Sequence, residues 1–129
     1  YRKLVKGLGL NNQIELIGAT QNVAKYYKKA KIFAFTSSSE GFPNVIGEAM
    51  SYGLPVIAYD CVAGPSDLIK DGETGFLIHE RNQKSYEKKL NKLMHDQELR
   101  NKMRTKSLEK IMNFDKDIIA DKFFNFINK

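Results

Sequence analysis

Ile32-Phe-Ala-Phe-Thr-Ser-Ser-Ser-Glu-Gly-Phe-Pro-Asn-Val-Ile-Gly-Glu-Ala-Met-Ser-Tyr-Gly-Leu-Pro-Val-Ile-Ala-Tyr59 reads as a strand, a loop, a helix and a second strand. Ile32–Thr36 is a near-continuous apolar run, which predicts a strand covered on both faces, as in a parallel sheet. Pro43 suits the first turn of a helix running to Tyr52, and Gly53 stops it. Val45, Ile46, Ala49 and Met50 fall within one arc of about 140° at 100° per residue, the predicted buried face. Leu54–Tyr59 is the next buried strand, with Pro55 near its start, where a ladder tolerates one.

Outward from this unit the pattern repeats. Tyr1–Leu10 reads as the end of a helix carrying Leu4, Val5 and Leu8 on one side, broken by Gly9, Asn11 and Asn12. Gln13–Ile17 alternates apolar and polar residues, which predicts a short strand. Asn22 can cap a helix to Lys29, with Val23, Tyr26, Tyr27 and Ala30 facing inward. Gly64 to Lys70 predicts a short helix in which Ser66 and Asp67 are capping residues, and Asp71-Gly72 with Gly75 predicts a turn. Phe76–Ile78 is a last strand. Helices fill the rest, on three stripes: Tyr86, Leu90 and Leu93; Leu99, Met103, Leu108, Ile111 and Met112; Ile118, Ile119, Phe123, Phe126 and Ile127.

The order β-α-β-α-β-α-β with short crossovers favours parallel pairing and right-handed connections. The expected fold class is α/β, an open parallel sheet covered by helices, with a helical carboxyl-terminal tail. Residues 1–80 would be the core and 81–129 the tail of one domain. The chain has 129 residues, about one domain's worth. Apolar residues at 42% and charged residues at 28% exclude a disordered chain. No apolar run approaches the roughly 20 residues that a spanning helix needs. With one cysteine, Cys61, the chain can form neither an internal disulfide nor a zinc finger of paired thiols. Nothing here favours an oxidising compartment, and a cytoplasmic setting is expected. Because the chain opens at Tyr1, inside a helical pattern, it reads as a piece of something longer.

The net charge of +6 comes from residues 81–129, since acidic and basic residues balance over 1–80. A basic excess suits nucleic acid, an anionic membrane or an anionic substrate. Within Lys84–Lys110, however, Glu87, Asp96, Glu98 and Glu109 interrupt the lysines and only Tyr86 is aromatic. That is the texture of a solvated helix rather than a nucleic-acid surface.

In an open α/β sheet, ligands lie beyond the carboxyl ends of the strands. The loop Thr36–Asn44 follows a strand and opens a helix, so its N–H groups and the helix dipole favour an anion. Glu40 stands in that loop and Glu48 on the helix, its Cβ leaning toward the N-terminus. Two carboxylates beside a phosphate site suit hydroxyl groups, because an ionised carboxylate only accepts. A ligand with hydroxyls on both sides of a diphosphate is a nucleotide sugar. By spacing alone, Glu40 as a helix cap and Glu48 as a solvated side chain remain the blander alternative. His79, His95 and Cys61 have no evident orienting partner for nucleophilic or acid–base chemistry. Asp60 ends a strand on the ligand side, with structural and functional roles equally open. No G-x-G-x-x-G follows a strand, which disfavours a dinucleotide-dependent oxidoreductase.

The segment Ser39–Ala58, with two glutamates separated by seven residues, closely resembles GT-B glycosyltransferases, in particular the large retaining group called family 4. The likeness continues through Asp60 and Gly64-Pro-Ser-Asp-Leu-Ile-Lys-Asp-Gly-Glu-Thr-Gly-Phe-Leu77, and reaches back to Ile14-Glu-Leu-Ile-Gly18. It implies the Rossmann-like, donor-binding half of a GT-B fold. By this resemblance Glu40 contacts the donor sugar hydroxyls at the reacting face. Gly41, Phe42, Pro43, Asn44 and Val45 form the segment whose N–H groups (proline's excepted) hold sugar and diphosphate. Glu48 binds the ribose hydroxyls, while Thr20 and Asn22 match the base-binding edge.

The resemblance further implies a nucleotide-sugar donor, a UDP-hexose by preference, no metal, and retention by front-face attack. The acceptor would be a glycan or a lipid-linked saccharide bound by an amino-terminal domain, with peripheral contact to an anionic membrane and no nucleic-acid partner. The family's arginine and lysine that neutralise the departing diphosphate have no counterpart here. Turnover by this chain alone is therefore expected to be negligible.

Overall fold

The computed structural model describes residues 1–62, 64–79 and 82–114, together with 118, 124, 125 and 127. Helices α1 (Arg2–Gly7) and α2 (Ala24–Lys29) precede strand β1 (Phe33–Phe35). Helix α3 (Asn44–Ser51), strand β2 (Val56–Asp60), helix α4 (Pro65–Leu68) and strand β3 (Gly75–His79) follow, then helices α5 (Gln83–His95) and α6 (Gln97–Met112).

The three strands form one parallel sheet in the order β1-β2-β3. Phe33 lies opposite Val56, and Val56 opposite Gly75. Side chains alternate across β2, as strand geometry requires. Val56 and Ala58 face a cluster containing Tyr27, Ile46, Ala49, Met50, Leu54, Leu68 and Ile69. Ile57 faces the other way, into a cluster with Phe76, Ile78, Tyr86, Leu93 and Met103. Helices α2, α3 and α4 thus cover one face and α5 the other, while α6 contributes Met103 to one cluster and Ile111 to the margin of the other.

Local chemistry accounts for the element ends. Helix α3 closes where the Gly53 N–H donates to Met50 O and Leu54 N–H to Ala49 O, with Gly53 at φ 70°. The Schellman geometry needs that left-handed residue. At Asp96 the chain breaks between α5 and α6, and the Asp96 side chain caps α6 by accepting from Leu99 N–H at 2.8 Å. Arg100 closes the other side, donating to the carbonyls of Leu93 and Met94 at the end of α5. Ser107 is buried on α6 and donates to the Thr74 carbonyl at 3.0 Å, tying α6 to the turn before β3.

Several expectations need correction. Gln13–Ile17 forms no strand: Ile14, Leu16 and Ile17 are exposed, and among the described residues no ladder partner lies alongside them. Its period-two pattern supplies one apolar face, but no described element receives that face. Strand β1 is an edge rather than a doubly covered strand, since Ala34 is exposed and Phe33 and Phe35 are half-buried. Among the described strands, β2, between two neighbours, has both faces buried, at Val56, Ile57 and Ala58.

On α2, Tyr27 is buried but Val23 and Ala30 are exposed, and on α3 Val45 is 39% exposed. The buried arc of α3 is Ile46, Ala49 and Met50, narrower than the pattern suggested. Leu4 and Leu8 also lie open. Helix α4 begins at Gly64 with no side-chain cap, so Ser66 and Asp67 do not cap it. On α6, Leu108 and Met112 lie outside the packed face, where Met103 and Ser107 are the buried residues. Of the third stripe, Ile119, Phe123 and Phe126 lie outside the described residues, and Ile118 and Ile127 are exposed.

Candidate functional site

The loop from Thr36 to Pro43 leaves the carboxyl end of β1 and delivers the chain to the N-terminus of α3. Pro43 occupies the cap position, the Asn44 N–H donates to Phe42 O at 2.9 Å, and no acidic side chain stands in the first turn. No carboxylate within the first turn of α3 therefore offsets its dipole end. Ser37 Oγ donates to the Ser39 carbonyl at 3.1 Å and shapes the loop ahead of Glu40. A Cβ at Gly41 would meet nothing within 4 Å, so the loop is open there. Phe42 and Val45 are both exposed on this side. Pro43 is buried instead, against Gly64 at the start of α4.

Glu40 is half-buried in the loop and Glu48 is exposed on the second turn of α3. Glu48 Oε2 accepts a hydrogen bond from Tyr27 Oη at 3.1 Å, bridging α3 to α2. Burial pushes the Tyr27 phenol up to about 12, and the Glu48 carboxylate adds to the shift, by hydrogen bond and by charge. Either effect disfavours a phenolate beside a carboxylate.

Thr20 and Asn22 stand together ahead of α2. Thr20 Oγ1 accepts from Asn22 N–H at 3.1 Å, and Asn22 Oδ1 accepts from Lys25 N–H at 3.3 Å. Both side chains thus shape the start of α2, with Asn22 in the expected capping contact. Asp60 ends β2 and is exposed, while Cys61 beside it is a buried free thiol. On α5, His95 Nδ1 lies 2.9 Å from the Asn91 carbonyl. The structure thus sets Glu40 in the loop that opens α3 and Glu48 on that same helix.

Two contributors escaped the sequence reading. Tyr27 was legible as a core side chain, but its bond to Glu48 spans 21 positions, and no local pattern signals it. Gly64 was legible as a helix start, yet its contact with Pro43 arises only when β2 returns the chain beside the loop.

Comparison with known proteins places this geometry. The family described as "Glycosyl transferases group 1" matches residues 1–110. The chain is 34% identical over 120 residues to an exopolysaccharide phosphotransferase of Streptomyces coelicolor, covering 92% of this chain and 13% of that protein. It is also 34% identical over 117 residues to N-acetylgalactosamine-N,N'-diacetylbacillosaminyl-diphospho-undecaprenol 4-alpha-N-acetylgalactosaminyltransferase of Campylobacter jejuni, covering 91% and 32%. Among solved structures, a variant of S. aureus TarM in complex with fondaparinux, alpha-GlcNAc-glycerol and UDP superposes with a TM-score of 0.86 at 29% identity. That match covers 99% of this chain and 26% of TarM. The chain spans at most about a third of the relatives it matches here. Its parallel sheet with covering helices is the α/β architecture of the Rossmann-like half of a GT-B fold. The chain belongs to the glycosyl transferases group 1 family.

Proposed function

We propose that this chain carries the donor site of a retaining glycosyltransferase that moves a hexose from a nucleotide sugar to a hydroxyl acceptor. The observation that carries the reading is the pairing of Glu40, in the loop that opens α3, with Glu48 on the same helix, beyond the carboxyl end of β1. Glu40 would accept from the sugar hydroxyls at the reacting face. Gly41, Phe42 and Val45 would offer N–H groups to sugar and diphosphate, Asn44 would do so on releasing its N–H from Phe42 O, and Pro43 would set the helix entry. Glu48 would accept from the ribose hydroxyls, and the Thr20–Asn22 turn would flank the base. The TarM neighbour's UDP supports uridine as the base.

In this reading the bond between the sugar's anomeric carbon and the β-phosphate oxygen breaks. The acceptor oxygen bonds to the same face of that carbon, and its proton passes to the departing phosphate. The dipole of α3 contributes to holding that phosphate's charge, and no metal enters the scheme. We propose that the acceptor would be a glycan or lipid-linked saccharide, and that the described residues neither hold it nor supply the basic pair that would neutralise the diphosphate. We therefore propose negligible turnover by the chain alone.

No helix among the described residues is long and apolar enough to cross a membrane. A row of exposed lysines on α5, Lys84, Lys88 and Lys92, suits peripheral contact with an anionic membrane face on the cytoplasmic side. Sedimentation with phosphatidylglycerol vesicles tests that contact.

An amide-resolved NMR titration with UDP, UDP-glucose, GDP and ADP tests the donor site. Shifts at residues 18–22 and 40–48, largest with UDP, are expected. Shifts confined to the lysine-rich residues 84–110 would overturn the donor-site assignment and favour a polyanion surface.

A further inference from the structure

Glu48 is exposed, and an exposed glutamate ordinarily samples several rotamers. Here one oxygen is held from below. The Tyr27 ring is 8% exposed. It stacks on Tyr52 at the end of α3, with centroids 5.4 Å apart, and meets Phe33 of β1 edge-on at 5.9 Å. Three elements therefore fix the ring, and its hydroxyl reaches Glu48 Oε2 at 3.1 Å. Ser51 Oγ donates to the Glu48 carbonyl at 2.7 Å and anchors the backbone at the same residue.

We propose that Tyr27 is the positioning residue for the Glu48 carboxylate, pre-setting it to receive a ribose diol. The inference rests on the assignment of Glu48 to the donor ribose. A carboxylate has about four acceptor directions. The phenol uses one and leaves Oε1 and the remaining Oε2 lone pair for two adjacent hydroxyls. A neutral donor orients the group without cancelling its charge, as a lysine would. Because the ring is locked by aromatic packing, the carboxylate loses its rotamer freedom before ligand arrives, which is the source of affinity in a preorganised site. A vicinal diol is thus the chemistry this pair selects, and a 2′,3′-dideoxyribose diphosphate should gain nothing from it.

Tyr27→Phe removes the hydroxyl while keeping the ring and its stack on Tyr52. The first measurement, on the 129-residue chain, is the set of three-bond side-chain couplings at Glu48 by NMR. A single rotamer in the parent and averaged couplings in Tyr27→Phe, with Tyr52 and Phe33 resonances unmoved, are expected. Averaged couplings already in the parent overturn the proposal without any ligand.

The second measurement compares UDP with 2′,3′-dideoxyuridine diphosphate in a double-mutant cycle. Glu48→Gln and Tyr27→Phe should each weaken UDP about three- to tenfold, the worth of one ordinary hydrogen bond. The double variant should be no weaker than Glu48→Gln alone, and the dideoxy ligand should be indifferent to both. If Glu48→Gln weakens UDP but Tyr27→Phe does not, positioning fails and the ribose assignment stands. If Glu48→Gln has no effect on UDP, the ribose assignment itself fails and the inference with it.

Discussion

A Cβ placed on Gly64 would overlap the Cδ atom of Pro43, and Gly64 holds φ at 123°. The N-terminus of α4 and the N-terminus of α3 are therefore pressed together at the carboxyl end of the sheet, with a glycine required on one side. Gly64→Ala would add backbone strain to an overlap with a buried ring. It is expected to cost on the order of 2–4 kcal/mol, combining strain at a left-handed position with overpacking. Urea unfolding measures the cost. Amide shifts in the variant should spread through residues 41–46, because Pro43 has to yield.

Ser107 ties a helix to a turn. Its hydroxyl donates to Thr74 O at 3.0 Å, and both residues are buried. Ser107→Ala leaves the Thr74 carbonyl without that donor in a site closed to water. The expected loss is about 1–2 kcal/mol. It should appear as a lower urea midpoint with an unchanged slope, and ligand-induced shifts at residues 40–48 should be the same as in the parent.

The break between α5 and α6 rests on one carboxylate. Asp96 Oδ1 accepts from Leu99 N–H at 2.8 Å, while Arg100 donates to the last carbonyls of α5. Asp96→Ala is expected to destabilise the chain by about 0.5–2 kcal/mol, the worth of an N-cap. Hydrogen exchange should quicken first at the amides of the first turn of α6. Asp96→Asn, which keeps an acceptor, should recover most of the loss.

These cases also show what a sequence makes visible. The strand–helix–strand unit from Phe33 to Asp60 was legible because Gly53 and Pro43 punctuate it and the apolar residues recur at the right period. The lone stripes Tyr86–Leu93 and Leu99–Met103 already marked α5 and α6 as separate helices, and Asp96 is the residue type that divides them. Gln13–Ile17 misled because alternation reports only a face, whereas a strand also needs a neighbour to bond. The same limit applied to Ile32–Thr36: the run of apolar residues was real, but composition alone does not show whether both faces are covered, and Ala34 is exposed. Of the candidate site, Glu40 and Glu48 lie around a helix start, but their spacing alone suits a cap and a solvated side chain. The likeness to GT-B glycosyltransferases singled them out. Tyr27 and Gly64 did not stand out, because their roles depend on partners distant along the chain.

Two buried phenols, Tyr27 and Tyr86, are expected to weaken the fold at alkaline pH. Burial pushes Tyr27 up to about 12, aided by Glu48. Burial likewise pushes Tyr86 up to about 12, with Tyr59 adding to the shift, and its hydroxyl donates to the Ile57 carbonyl at 3.3 Å. In the unfolded chain both phenols return to the ordinary 10.0. Folding therefore holds these protons more tightly, so their contribution is complete below pH 10 and is lost as pH rises toward 12. The exposed lysines Lys102 and Lys106 are raised by their hydrogen bonds to Glu98 and Glu109 and act in the same direction. Urea midpoints measured from pH 8 to 12 should stay level and then fall above pH 10. Tyr27→Phe and Tyr86→Phe should each start lower and fall less steeply, because a phenylalanine has no proton to lose. A parent slope that neither substitution flattens would assign the alkaline loss to the lysines instead.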